Sequence, residues 1–377
     1  MANSLLYRSA LNNLLPIVAK NFPFIRNAMR QTGSDSLVPA YKGKTVSLAR
    51  PNPHQFAAAA ITPAAYGSGE QAVKPIEEQI TLDQWYGVNF LLTDLEWNQL
   101  AWEGIVSPNV RMAAMAIGEN IESALVAKAL VGGYQQITKT ADALYDLAAI
   151  GDKFNDNGVG NLPWTLAVPS ILAFTSNANL LSRDVGGGAG NVGGYAMQTA
   201  LGRVEHSHAL SGVSFTDGTS DSLYQCNAAG AIGDTSMVLD SEGSGTMKVG
   251  DIVTFAGHTG NYVVTQAITA AGDTLKFYPG LRAAVAENEV IALTATTAAS
   301  LGIAIAENVG VAFVSRPEEI DAEAKQYTTF ESVTDPNTGI SLAYEVSREH
   351  KQTRKILSVL YGCGQAFGEG LVKYKIS

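Results

Sequence analysis

The sequence predicts an α+β protein with a separate β-rich segment inserted into it. Three observations carry that prediction. One long helical pattern, SPNVRMAAMAIGENIESALVAKALV, fills residues 107–131. Strand patterns of period two stand on either side of it, at 81–93 and again from 309 to the C-terminal end. From 236 to 293 the texture becomes short apolar runs, MVLD, KVGDIVTFAG, NYVVTQAI and TLKFYPG. Turn signals Gly-Asp, Gly-Asn, Gly-Asp and Pro-Gly separate those runs at roughly ten-residue spacing, which suggests a small barrel or sandwich.

The helix is marked at both ends. Ser107 is a suitable N-cap, and Pro108 fits the first helical position, where its missing N–H costs nothing. Gly132 and Gly133 supply the stop, and Gly118 is the sole interior breaker. Val110, Ala114, Ile117, Ile121, Ala124 and Leu125 recur on one face. Arg111, Glu119, Glu122 and Ser123 are expected largely off it. At 1.5 Å per residue the rod is roughly 36 Å long, enough to back a sheet over its full length.

The 377 residues are 46% hydrophobic and only 16% charged, with 37 glycines. That length gives room for two or three domains, and the low charge suits a surface covered by neighbours or rich in loops. A net charge of −10 argues against a dedicated nucleic-acid binder or an anionic-membrane binder. Cys226 and Cys363 are too far apart for a metal motif, and a disulfide between them has no support in the spacing. No apolar run of about 18 residues exists, so no transmembrane span is expected.

Residues 1–34 carry Arg8, Lys20, Arg26 and Arg30 before the first acidic residue, with Leu5, Leu6, Leu11, Leu14 and Leu15 on one helix face. The segment superficially resembles a transit peptide, but Pro16 and Pro23 interrupt its pattern. It reads better as an amphipathic arm that docks on a partner. Residues 36–80 read as an extended hairpin or projecting loop, whose apolar Phe56 and Ile61 also need a neighbour. TLDQWYGVNFLLT reads as a strand, and TDLEWNQLAWEGI as a short helix. Beyond the long helix, TADALYDLAAIGDKFN reads as a helix, and Thr165 to Val168 as a buried strand with a helix from about Pro169. GYAMQTALGRVEHSHALSGVSF reads as a helix followed by a strand. VGVAFVSRP is a strand, 326–352 a hairpin turning at Asp335-Pro336-Asn337, TRKILSVLYGCGQAF a long strand with Ile356, Val359 and Tyr361 buried, and EGLVKYKIS a final strand.

No catalytic constellation emerges, and no cofactor or metal site is predicted. Gly188-Ala189-Gly190-Asn191-Val192-Gly193 matches GxGxxG, but it lacks the strand before and the helix after that would cradle a pyrophosphate, so it reads as a loop. His206 and His208 share a strand face but have no third ligand at a metal spacing. Glu318, Glu319, Asp321 and Glu323 read as a solvated acidic segment, not a glycosidase pair. GxSxG is absent. Two further classes stay open: a nucleotide-using enzyme on the Gly188 loop, and a secreted or surface-layer β-rich module.

The order of parts resembles the major capsid (coat) protein of tailed bacteriophages, closest to the Salmonella-phage type with an inserted β-barrel I-domain. PNVRMAAMAIGENIESALVAKAL looks like that family's spine helix, TMKVGDIVTFAG like the opening of its inserted barrel, TADALYDLAAIGDKF like its first A-domain helix, and RKILSVLYG like its late strand. The resemblance implies an N-terminal arm at 1–35, an extended E-loop at 36–80, and a peripheral P-domain at 81–139 and 326–365 with its spine helix at 107–131. It implies an axial A-domain at 140–235, 294–325 and 366–377, and an I-domain at 236–293. It implies a structural protein without enzymatic activity or cofactors, which self-assembles into the hexamers and pentamers of an icosahedral head. Its implied partners are copies of itself, a scaffolding protein, a portal and a decoration protein. It would enclose dsDNA without binding it specifically, touch no membrane, assemble in the bacterial cytoplasm and reside in the virion. Some relatives crosslink a Lys to an Asn; Lys42, Lys44 and Lys74 lie in the implied loop, with no evident partner.

Overall fold

The long C-terminal strand pattern becomes β18 (Gln352–Cys363), the axis of the larger sheet. One edge of β18 pairs antiparallel with β4 (Gln84–Thr93), from Gln352↔Thr93 to Tyr361↔Gln84. The other edge is shared: β17 (Ser341–Glu349) covers it to Ser358, and β15 (Ala312–Arg316) from Leu360 to Cys363. β16 (Thr329–Thr334) lies outside β17, and the two-residue β1 (Met29–Arg30) runs parallel to β15. The computed structural model describes residues 2–31, 34–50, 76–93, 108–140, 143–170, 197–199, 202–221, 223–240, 243–270, 272–295, 297–319, 328–349, 352–364 and 367–376. The tip of the 36–80 loop, the helices expected near 94–105 and after Pro169, the Ser107 cap, the Gly188 loop, and Asp321 and Glu323 lie outside them. Period-two geometry corrects one burial assignment: Leu357, Val359 and Tyr361 point to the core, whereas Ile356 falls on the opposite face and is half-buried.

Helices α1 (Ala2–Asn21), α2 (Pro23–Asn27) and α3 (Pro108–Gly132) cover one face of this sheet. The predicted stripe of α3 is buried, from Val110 through Ala114, Ile117 and Ile121 to Leu125. Glu122 is buried as well, contrary to its expected place off that face, because the N-terminal helices give α3 a second covered side. Those helices correct the arm reading. Leu11, Leu14, Leu15, Val18, Phe22, Phe24 and Ile25 are buried in this chain's own core, so this stretch does not need a partner to hide its leucines. Pro16 does not break α1: it sits exposed on the outer face, where the carbonyl it orphans belongs to exposed Asn12 and meets water. Pro23 does separate the helices, at the start of α2.

A second sheet runs β5-β19-β14-β6-β8-β7. Its strands are β5 (Gln135–Thr138), β6 (Trp164–Val168), β7 (Met197–Thr199), β8 (Gly202–His206), β14 (Leu301–Ala306) and β19 (Leu371–Lys375). Both faces are covered. Leu166, Val168, Ala304 and Ala306 meet Leu147, Ile150 and Phe154 of α4 (Ala143–Asp156), while Ala167, Ile303 and Ile305 join the core under α3. Burial on both sides explains why WTLAV and LGIAIA read as continuous apolar runs. Asp146 of α4 fixes the helix entry by accepting hydrogen bonds from Thr140 N and Oγ1 and from Tyr374 Oη. The helix expected in GYAMQTALGRV is corrected to strands at β7 and β8. Parallel pairing of β8 on β6 and burial of Val204 override the local pattern.

The third sheet takes the order β13-β10-β11-β12-β9, from β9 (Ser236–Val238), β10 (Ile252–Phe255), β11 (Tyr262–Val264), β12 (Thr274–Tyr278) and β13 (Ile291–Thr294). Phe255, Tyr262 and Phe277 stack edge-on at its centre, at centroid distances of 5.1 to 5.5 Å. Residues 224–230 bond to both ends of the sheet: Asn227 N donates to Val238 O, and Ile291 N to Tyr224 O. This body is therefore larger than the predicted 236–293. Tyr224 and Cys226 belong to its core, and the chain enters and leaves it where Phe215 pairs with Ala298. Three contacts fix it to the second sheet. Lys373 Nζ donates to Gly250 O at 2.6 Å, Tyr278 Oη to the Glu369 carboxylate at 2.6 Å, and Arg282 Nη2 to Tyr134 Oη at 3.2 Å.

Gly118 marks the tightest approach of α1–α2 to α3, since a Cβ there would lie 2.0 Å from the Phe22 ring. In an exposed helix, Gly→Ala stabilises by about 1 kcal/mol. Here Gly118→Ala is expected to destabilise by about 1–3 kcal/mol through overpacking. Combining it with Phe22→Leu should recover part of that loss, as read by denaturant unfolding.

Candidate functional site

A groove of about 540 Å³ opens on the outer side of the first sheet. β2 (Thr45–Arg50) and β3 (Ile76–Thr81) pair as the base of the expected hairpin, from Thr45↔Thr81 to Arg50↔Ile76. Val46, Leu48, Ile80 and Leu82 anchor that base against Val314 and Leu360, which brings Tyr41 beside β4. The floor comes from Ile356, Ser358 and Leu360 of β18, the face that parity leaves opposite α3. Gly87 belongs to β4 for a steric reason: a Cβ there would lie 3.1 Å from Leu357 O and 3.2 Å from Ser358 Cβ. Tyr41 and Trp85 form the rim and are 63% and 60% exposed.

Glu318, Glu319 and Glu345 make the groove acidic. Glu318 is half-buried, not solvated as the sequence suggested, because a backbone bridge to Ala40 draws it under the rim. Burial pushes its carboxyl above the usual range, hydrogen bonds from Ser358 and Trp85 pull it down, and the charge of Glu345 pushes it up. Carboxylates between aromatic rims can accept hydrogen bonds from a polypeptide or hold a cationic side chain. They do not make a nucleophile–base pair. Lys42 also lines the groove. Lys74 lies outside the described residues.

The predicted histidines fall elsewhere. His206 and His208 line a cavity of about 170 Å³ together with Glu119 and Glu122. Glu122 is not available as a ligand there: it accepts hydrogen bonds from Phe24 N at 3.1 Å, Ile25 N at 3.2 Å and Ser207 Oγ at 3.1 Å. Among the described residues no three His, Cys, Asp or Glu side chains group as metal ligands. His258 shares a hydrogen bond with Tyr262 Oη, while His54 and His350 are outside the described residues. Cys226 and Cys363 are both free thiols, so no disulfide joins them. No helix among the described residues is long and apolar enough to cross a membrane.

Sequence reasoning missed the groove and the role of Glu122. Trp85 and Tyr86 sit side by side in an otherwise ordinary strand pattern, and adjacent large aromatics that cannot both face one core are the signal that was there to find.

No protein-family profile and no curated protein matches the chain. Solved structures do. The chain is similar to one in the capsid structure of the cyanophage P-SCSP1u, with a TM-score of 0.44 and 12% identity over 92% of this chain and 86% of that one. It is similar to one in the mature capsid of bacteriophage PhiM1, with a TM-score of 0.41 and 12% identity over 94% and 87%. It is also similar to one in the virus-like particle from Pyrococcus furiosus, with a TM-score of 0.41 and 10% identity over 98% and 97%.

Burial pushes the Glu122 carboxyl up to about 7, against the Phe24 and Ile25 amides, Ser207 and the Arg26 charge, which all favour the ionised form. In the unfolded chain the group ionises near its ordinary value of 4.5. Between those pH values the folded state holds the extra proton, so stability falls as pH rises through the window and levels off above it. The total fall is about 3 kcal/mol. Glu122→Gln should flatten this dependence in unfolding measured from pH 4.5 to 8. Glu122→Leu leaves two buried amides without an acceptor and should cost about 1–3 kcal/mol throughout.

Proposed function

We propose that this chain is a structural shell subunit, a major capsid protein of the tailed-phage type, whose copies form the hexamers and pentamers of a head enclosing dsDNA. The observation that carries the reading is the apolar surface around the hairpin base and β4. Leu37, Val38, Tyr41, Trp85, Tyr86 and Leu91 are all large and all between 46% and 63% exposed. Apolar surface of this kind marks a binding face, and a groove without a catalytic pair suits a protein partner better than a substrate.

The element order supports the reading further. An extended hairpin precedes a long strand and a long helix, and a self-contained β body is spliced between two strands of the second sheet. On this reading residues 36–80 are the loop that reaches a neighbour, α3 is the spine, the α4 sheet is the axial domain, and the third sheet is the inserted domain. The N-terminal helices cover their own core over residues 11–28, so the reach to neighbours belongs to the hairpin. Repetition explains how modest contacts suffice, because closed symmetry multiplies each one. The net charge of −10 suits a container that does not trap its DNA. A scaffolding protein and a portal are the further partners this role implies, and a decoration protein is an option it leaves open.

Light scattering on the purified full-length chain, with electron microscopy of the same sample, tests the proposal. Megadalton closed particles are expected. A stable monomer at all concentrations and ionic strengths overturns it.

A further inference from the structure

β4 is an edge strand with an unusual composition. Among the described residues it pairs with β18 alone, and its second edge meets no other described strand. Its ten residues, QWYGVNFLLT, contain no charge and no proline. Proteins blunt open edges with charges, prolines or short strands, because an unguarded edge is a template for another strand. β4 has none of these guards, and it carries Trp85 and Leu91 exposed on the face that lines the groove.

We propose that the open edge of β4 pairs antiparallel with β4 of a second copy about a two-fold axis at Val88, joining two sheets into one. A two-fold axis normal to a sheet keeps each strand's faces, so opposite residues must have numbers summing to an even value. Centring on Val88 places Trp85 of each copy opposite Leu91 of the other. Two exposed apolar side chains then cover each other twice across the axis. The absence of charge in β4 means that no like charges oppose each other in a self-pairing. Backbone hydrogen bonds supply the attachment and the Trp85–Leu91 contacts set the register.

This inference goes beyond the shell reading and does not depend on it. The full-length double variant Trp85→Cys/Leu91→Cys is oxidised mildly and run on a non-reducing gel beside both single variants and the unmodified chain. A covalent dimer from the double variant alone is expected, because the register pairs position 85 with 91. No dimer, or equal crosslinking of the single variants, overturns it. Charge variants give a second readout by sedimentation. Trp85→Lys and Leu91→Glu should each weaken self-association at least tenfold, and the pair combined should restore it. Failure of the combination to restore it counts against the register. Particles without the 85–91 crosslink would refute the pairing and spare the shell. A crosslinked dimer without particles would do the reverse.

Discussion

One buried carboxylate joins the two ends of the first core. Glu122 accepts the first free amides of α2, from Phe24 and Ile25, almost a hundred residues away in the chain. It thereby does for α2 what an N-cap side chain does locally. Next to it the Phe22 ring lies against Gly118, the one residue in α3 small enough to admit it. With the N-terminal helices held there, α3 is enclosed on one side by β18 and its neighbours and on the other by α1 and α2. The first sheet can then turn its second face outward, where the hairpin base and the groove are built.

That arrangement separates the molecule into an inner and an outer surface of different character. Inside, continuous apolar strands such as β6 and β14 are covered by helices on both faces. Outside, β4 and the Tyr41 loop present aromatic side chains among carboxylates. A fold built around a catalytic cleft concentrates its polar groups at a pocket. Here they line an open trough along a sheet.

Much of this was legible in the sequence where a single periodicity governed the outcome. The long helix, the strands 164–168, 312–316 and 352–363, and the turn at Asp335 follow from local pattern alone. At Asp335 the carboxylate accepts from Asn337 N and Thr338 Oγ1. What escaped was whatever a second segment decides. Glu122 looks solvent-facing until α2 arrives to share it. Leu11 and Leu14 look like partner-seeking residues until α3 is seen to offer them a place. Ile356 shares an apolar run with Val359 and Tyr361, but strand parity places it on the other face. Glu318 reads as part of a charged run, but its burial is set by Trp85 and Ala40, far away in sequence. The β-rich body shows in its turns, but its outer limits do not, because residues 224–230 contribute by bridging, not by an alternating pattern.

The pairing of Phe215 with Ala298 has an evolutionary consequence. Entry and exit of the third sheet lie side by side, so the intervening eighty-odd residues interrupt neither neighbouring strand. A lineage can gain, enlarge or discard such a module by splicing at one spot, and the host scaffold keeps its path. The cost of losing it would fall on the few residues that reach into it. Lys373, buried with its ammonium on Gly250 O and over the Phe215 ring, would be stranded in any ancestor lacking the module. An apolar residue at that position would be the trace of a smaller forebear.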